Sequence, residues 1–315
     1  MWRVDPFQIL SAMLLDLLLG DPRGWPHIAR GAGWLSVRYE KLLTAHLRRS
    51  VFLGSVFWIL VAGTMLAAYT AAYRLCLAAS PVAAWLLGTF VLYQAVAAMD
   101  LSRHVKAVIR PLSTGDLAAA RDRLAQIVGR DTGELGEGDI SRAAIESVAE
   151  STTDAVIAPL FWSFVAGAPG ALLYRTANTL DSMVGHRTDA YEKFGKASAR
   201  IDDVLNWVPA RICAAAFCIF NSAVRWKTVR REAAAHASPN AGWSEAAMAH
   251  ALGVRLGGDN FYDGQRVAGP VFNPSGRTAA VADIVSGLAW MWRIVIVCAA
   301  VFAMLLFALK FLQPL

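Results

Sequence analysis

Apolar residues gather in long uncharged runs, and this is the strongest pattern in the chain. No Asp, Glu, Lys or Arg occurs from Ser50 to Tyr73, and Arg49 and Arg74 bound the run. About 20 predominantly apolar residues let a helix cross a bilayer, so a span is expected near residues 50–73. Leu75 to Met99 is equally uncharged and ends at Asp100. Pro81 suits the first turn of a helix, which puts the second span near 82–99. A third is expected near 290–309, where Trp290 and Trp292 extend the run Ile294 to Leu309 backwards.

Three further segments are weaker. The stretch near 6–19 is short and carries Asp16. The stretch near 155–174 has no charge, yet Pro159, Gly167, Pro169 and Gly170 interrupt it. The stretch near 204–224 contains Asn206, Pro209 and Arg211. The expectation is an all-α, polytopic integral membrane protein. Residues 1–315 would form a single membrane domain with four to six spans, one of them broken or re-entrant, and polar loops carrying the chemistry.

Composition agrees. Of 315 residues, 56% are apolar and only 17% charged, with a mean hydropathy of +0.43. A soluble domain usually carries about 25% charge. Disordered chains and small disulfide scaffolds are excluded. The net charge of +6 fits basic residues flanking spans, and no basic run interleaved with aromatics suggests a nucleic-acid partner. Cys76, Cys213, Cys218 and Cys298 all lie in apolar stretches without a CxxC, which suits packing. The first residues do not read as a cleavable signal, because Asp16 interrupts the apolar run and Gly20-Asp21-Pro22 follows it. Lys and Arg outnumber acids between Gly20 and Arg49, so this loop is placed on the cytoplasmic side. Asp100 to Asp154 returns to that side two spans later. A re-entrant 155–174 segment would keep Arg175 to Asp203 there too, and such backbone is tolerated where protein or a cavity shields it.

Four patterns carry candidate chemistry. Arg142, Glu146, Glu150 and Asp154 recur every four residues, which puts them on one helix face. Carboxylates in such a row repel unless a cation sits among them. Hard oxygen ligands suit magnesium shared with a phosphate, so Glu146, Glu150 and Asp154 are candidate metal ligands; a solvated charged face is the other reading. The second pattern is Asn178-Thr-Leu-Asp181-Ser182-Met-Val-Gly-His-Arg187, which offers amide, carboxylate, hydroxyl and guanidinium groups. It could equally be a capped loop. Asp202, Asp203 and Asn206 follow, either as ligand-binding groups or as the cap of the next helix. The third is Ser238-Pro-Asn240-Ala-Gly-Trp, then Gly253-Val-Arg255-Leu-Gly257-Gly258-Asp-Asn260-Phe-Tyr262, where glycines admit close backbone approach and Arg255 adds charge. Neither a P-loop nor a dinucleotide fingerprint is present. The fourth is Asp16, then Gly20-Asp21-Pro22-Arg23-Gly24-Trp25-Pro26-His27.

In this order, Leu17-Leu-Leu-Gly-Asp-Pro-Arg-Gly-Trp-Pro-His, Glu146-Ser-Val-Ala-Glu, Ala158-Pro-Leu-Phe-Trp, Asn178-Thr-Leu-Asp-Ser-Met-Val-Gly, Asp202-Asp, Pro209-Ala-Arg, Ser238-Pro-Asn-Ala-Gly-Trp and Gly253-Val-Arg-Leu-Gly-Gly resemble the adenosylcobinamide-phosphate synthase family, CobD/CbiB, of cobalamin biosynthesis. The chain departs from the family pattern at Ser151, His186, Ser244 and Asp259, none of which removes a motif carboxylate or arginine.

The resemblance implies a ligase in the cell membrane that uses ATP and magnesium. It would join the propionate carboxylate of adenosylcobyric acid to (R)-1-aminopropan-2-ol or its O-phosphate. Asp21, His27, Glu146, Glu150 and Asp181 are then the expected catalytic groups, with Asp21 or His27 taking a proton from the amine. Arg23, Asn178, Ser182, Arg187, Asp202, Asn240, Arg255, Gly257 and Gly258 are the expected substrate and phosphate contacts. Other enzymes of the late corrin pathway are expected partners. Trp25, Trp34, Trp162 and Trp243 could meet the corrin face or anchor spans at the interface. Two other classes remain in view. A membrane regulator of the AmpE type would need no carboxylate stripe. A transporter would favour inverted repeats, which the sequence lacks.

Overall fold

A computed structural model describes residues 5–22, 24–186 and 189–312. In chain order the elements are α1 (Pro6–Leu19), α2 (Ile28–Thr44), α3 (Val51–Ala79), α4 (Pro81–Ala95), α5 (Ala98–Ser113), α6 (Leu117–Leu124) and α7 (Glu137–Thr152), followed by a π-helical turn (Thr153–Ile157). Then come α8 (Ala158–Val184), α9 (Lys196–Phe220), α10 (Trp226–Ala233), α11 (Ala241–Leu252), the short strands β1 (Leu256–Gly257), β2 (Asn260–Tyr262), β3 (Gln265–Val267) and β4 (Val271–Phe272), and α12 (Val281–Phe311).

The protein is all-α and polytopic. Among the described residues, five helical stretches are long and apolar enough to cross a membrane: Val51–Ala79, Pro81–Ser113, Glu137–Val184, Lys196–Phe220 and Val281–Lys310. Pro6–Leu19 is apolar but shorter. Bulky apolar side chains on these helices face outward, as at Phe52, Leu75 and Met304, which suits contact with lipid tails. The 155–174 segment is broken: Gly167 adopts φ 71° and ψ −161° inside α8, a conformation glycine adopts without steric penalty. Pro169, two residues later, lacks the amide a continuing helix would use.

The chain divides into two compact units. The first gathers residues 1–97, 158–206 and 299–315. Sequence sets its helix starts. Asp5 and Gln8 form a capping box around Pro6, and Ser50 and Ser80 cap α3 and α4. Within this unit α1 and α3 pack on α4, and α2 and α4 pack on α8. One core joins Tyr69, Leu92, Tyr93 and Leu172. Another joins Leu53, Phe57, Val61, Leu180 and Phe194. A Cβ at Gly54 would lie 1.9 Å from the Phe194 carbonyl oxygen, so only glycine lets that backbone reach α3.

The second unit gathers residues 98–157 and 207–298. The polar stretch Asp100 to Asp154 is mostly helical rather than loop. Asp116 starts α6, accepting a hydrogen bond from the Ala119 amide. Helix α11 is buried along nearly its whole length and packs on α7 and α10. Two small antiparallel pairs, β1–β4 and β2–β3, follow it. Asp263 and Gly264, both with positive φ, turn the β2–β3 hairpin.

Candidate functional site

The second unit holds the carboxylate stripe. Arg142 and Glu146 meet at 3.2 Å as an i,i+4 pair on α7. Arg130 Nη2 reaches the other Glu146 oxygen at 2.6 Å. The Gly257 amide donates to Glu146 Oε1 at 2.7 Å, and Arg142 Nη1 donates to the Gly257 carbonyl at 3.0 Å. Both arginines also donate to Asn260 Oδ1. The Glu146 side chain is 5% exposed. It is therefore a buried carboxylate held by two guanidiniums, and it ties the glycine turn to α7.

This arrangement answers the repulsion within the stripe. At Glu146 the neutralising cations are Arg130 and Arg142. Four-residue steps advance a helix by about 6 Å, so Glu146 and Asp154 are about 12 Å apart along the axis, and the π-helical turn intervenes at Asp154. One ion cannot bind all three carboxylates. Among the described residues no three His, Cys, Asp or Glu side chains converge to hold a metal. Glu150 is exposed and Asp154 half-buried. They suit magnesium that keeps most of its ligands from phosphate and water; Glu146, already fully engaged, does not.

The same unit contains a cavity of about 330 Å³ lined by Gly138, Asp139, Arg142, Arg255, Gly257 and Gly258, with further walls from Asp259, Gly269, Val271, Thr278 and Ala279. Gly257 has φ 75°, and a Cβ there would lie 2.0 Å from the Pro270 carbonyl oxygen. Gly258 donates its amide to that oxygen at 2.8 Å. Both glycine amides are thus engaged within the protein, so anion contacts in the cavity fall to Arg142 and Arg255. Arg255 is exposed, and its guanidinium makes no hydrogen bond or ion pair among the described residues.

Sequence reasoning passed over Arg130 and Glu245, and held Asn260 only as a member of the third pattern. Glu245 lies on α11 and is 7% exposed. Burial pushes its carboxyl well above the usual range; the charges of Glu150 and Glu146 add to this, and Arg130 and Arg142 oppose it. His236 Nε2 lies 3.8 Å away. A lone acid inside the alanine-rich run Ala241 to Leu252 was the available signal. Asn240 is buried and accepts from Arg211 Nη1 at 3.0 Å. That guanidinium stacks between Trp207 and Trp243, 4.3 and 4.8 Å from their ring centres.

The first unit holds the other motifs. Gln94 donates to the Pro26 carbonyl and accepts from the Ile28 amide, and Tyr93 donates to the Gly20 carbonyl. These contacts fix the loop bearing Asp21 and His27, whose side chains lie 3.9 Å apart. His27 Nδ1 accepts from the Ala29 amide and so caps α2. A neutral ring must then carry its proton on Nε2, facing Asp21. Asp21, 39% exposed, is the better placed proton acceptor of the two.

On α8 and α9, Asn178, Asp181 and Asp202 come together. Asp202 and Asp203 do not cap a helix, because α9 begins at Lys196. Asp202 is 8% exposed. Its Oδ2 accepts from Asn206 at 3.0 Å, and Asn206 accepts from Tyr174 at 2.9 Å. Ser182 is exposed and bonds back to the Asn178 carbonyl. Arg23 and Arg187 lie outside the described residues. Of the four tryptophans singled out in the sequence, Trp25 and Trp34 are exposed, Trp162 donates to the Leu205 carbonyl, and Trp243 is engaged with Arg211.

The motifs on this scaffold match a known family. The CobD/Cbib protein family matches residues 9–291. The chain belongs to the CobD/CbiB family. Cobalamin biosynthesis protein CobD of Klebsiella pneumoniae is 41% identical over 290 residues, 89% of this chain and 91% of that one. The protein of the same description in Citrobacter koseri is 40% identical over the same shares. Cobalamin biosynthesis protein CbiB of Salmonella choleraesuis is 39% identical over 293 residues, again 89% and 91% of the two chains. No solved structure matches the chain.

Proposed function

We propose that this protein acts in cobalamin biosynthesis as an adenosylcobinamide-phosphate synthase. Membership of the CobD/CbiB family, at about 40% identity over 89% of the chain, carries the reading. The substrates are adenosylcobyric acid, ATP, and (R)-1-aminopropan-2-ol or its O-phosphate. The corrin carboxylate attacks the γ-phosphorus of ATP, releasing ADP and giving an acyl phosphate. The amine then attacks the acyl carbon, phosphate leaves, and the amine proton passes to a protein base.

The residues suit these tasks. Arg142 and Arg255 give the cavity its anion-binding character, and guanidiniums hold phosphate oxygens through paired hydrogen bonds. Glu150, with Asp154 one turn on, would hold magnesium that arrives with the nucleotide; when bound it neutralises charge during phosphoryl transfer. Glu146 serves by fixing Arg142 and the Gly257 turn that shape the cavity. Asp21 takes the proton from the amine. The basic stretch Gly20 to Arg49 and the use of ATP favour a cell-membrane protein with its reactive segments on the cytoplasmic side.

The test is ATP consumption by the full-length protein in lipid. The account expects ADP release that requires both adenosylcobyric acid and the amine. ADP release indifferent to both would overturn it.

A further inference from the structure

Helix α9 (Lys196–Phe220) is one of the stretches able to cross a membrane. It ends on Ile219 and Phe220, which are 75% and 51% exposed, so apolar surface continues to its last residue. Residues 221–225 then lead into α10. There the run Arg225-Trp-Lys-Thr-Val-Arg-Arg brings four positive charges and no acid. Arg225, Lys227, Arg230 and Arg231 are all exposed. None of the four forms an ion pair or donates a side-chain hydrogen bond among the described residues. The next acid in the chain, Glu232, is engaged elsewhere: its Oε2 lies 3.0 Å from His250 Nε2 and accepts from the Asn273 amide at 3.0 Å. The cations are also held in place beside the end of α9. The Asn221 amide donates to the Phe217 carbonyl at 2.9 Å, and Asn221 Nδ2 donates to the Ala251 carbonyl at 3.3 Å. Val229 and Ala233 are buried where α10 packs on α11. Lys227, Arg230 and Arg231, three and four residues apart, share another face of the helix. Trp226 sets its ring 4.8 Å from that of Trp243, yet stays 39% exposed.

We propose that the basic face of α10 docks on the headgroups of anionic lipids in the surrounding bilayer. Two properties of the surface select this partner together. Water would accept the four cations, but it does not favour Ile219, Phe220 and the Trp226 ring. Lipid tails would accept those apolar groups, but not the cations. The headgroup region of a bilayer satisfies both, and a basic helix face with adjoining Trp and apolar residues is the make-up of helices that lie there. Lys and Arg clusters next to a span are drawn to anionic headgroups within a Debye length of the surface. Guanidiniums also hold phosphate oxygens through paired hydrogen bonds, so Arg225, Arg230 and Arg231 suit a lipid phosphate. The surface shares no residue with the cavity lined by Arg142 and Arg255. The inference therefore stands apart from the synthase reading.

The test uses the full-length protein in nanodiscs of equal parts phosphatidylglycerol and phosphatidylcholine. The photo-crosslinking residue p-benzoylphenylalanine takes the place of Ala234, which is exposed and follows Arg230 and Arg231 by four and three residues on the same face. Mass spectrometry identifies the lipid captured. Phosphatidylglycerol adducts should exceed phosphatidylcholine adducts by about fivefold or more. Changing Arg225, Lys227, Arg230 and Arg231 together to Gln should bring that preference below about twofold, and thermal unfolding shows that the exposed substitutions leave the protein folded. Equal capture of the two lipids, no lipid adduct, or a preference unaffected by the four substitutions overturns the proposal. A final arm separates lipid from soluble phosphate. Millimolar inorganic phosphate at constant ionic strength should leave the preference unchanged; its loss would assign the cations to a soluble anion and overturn the lipid surface.

Discussion

Arg130 Nη2 lies 2.6 Å from Glu146 Oε2, and both side chains are nearly buried. With Arg142 on the other oxygen, the pair turns a carboxylate that looks catalytic in the sequence into the fixed point on which the cavity is built.

Removing one partner of a buried ion pair typically costs about 3–5 kcal/mol, because the other charge is left uncompensated. Glu146→Ala should therefore destabilise the second unit by that order, and Arg130→Met alone should be similarly damaging. Combining Arg130→Met with Glu146→Ala should cost less than the sum of the single changes. Chemical denaturation in detergent measures each term. Additive effects would show that the pair is not coupled.

Arg255 gives the opposite expectation. It is exposed, and its guanidinium holds no partner among the described residues, so Arg255→Gln should change stability by less than about 0.5 kcal/mol. Loss of a charge-assisted contact to phosphate should raise KM for ATP about tenfold. Steady-state kinetics beside thermal unfolding separates the two.

The glycine turn is sensitive to a single methyl group. Gly257→Ala places a Cβ against the Pro270 carbonyl at a positive φ, so the turn must move and Glu146 must lose its amide donor. We expect ATP binding to weaken at least tenfold in a protein that remains helical. Circular dichroism with nucleotide titration checks this, and unchanged nucleotide affinity would refute it.

Glu245 predicts a pH dependence. Its carboxyl is raised well above the ordinary value, first by burial and then by Glu150 and Glu146. A raised folded-state value means that the native protein binds this proton more tightly than the unfolded chain does. The stability it contributes is fully present below the ordinary Glu value and is lost as pH rises through the folded value. Wild-type protein should lose stability over that interval, and Glu245→Gln should lose less. Equal pH profiles for the two proteins would remove Glu245 from the account.

Much of this was legible in residues alone. Charge-free runs marked the spans, and Pro159, Gly167, Pro169 and Gly170 announced a broken helix whose actual turn falls at Gly167. The order of motifs gave the family. Partnership was not legible. Spacing put Glu146 beside Arg142, but nothing local shows that Arg130 arrives from 16 residues earlier, or that Gly257 donates from beyond α11. The same limit hid the engagement of both glycine amides and the capping role of His27 Nδ1. Long-range hydrogen bonds decide which polar groups remain free for chemistry, and four-residue periodicity carries no record of them.

The most direct measurement is the mass of the corrin product. Wild-type protein in lipid is supplied with adenosylcobyric acid, magnesium ATP and either (R)-1-aminopropan-2-ol or its O-phosphate. The account predicts a product heavier than adenosylcobyric acid by the amine donor less one water, formed only when ATP is present. Folded protein that leaves adenosylcobyric acid unchanged with both donors would contradict it.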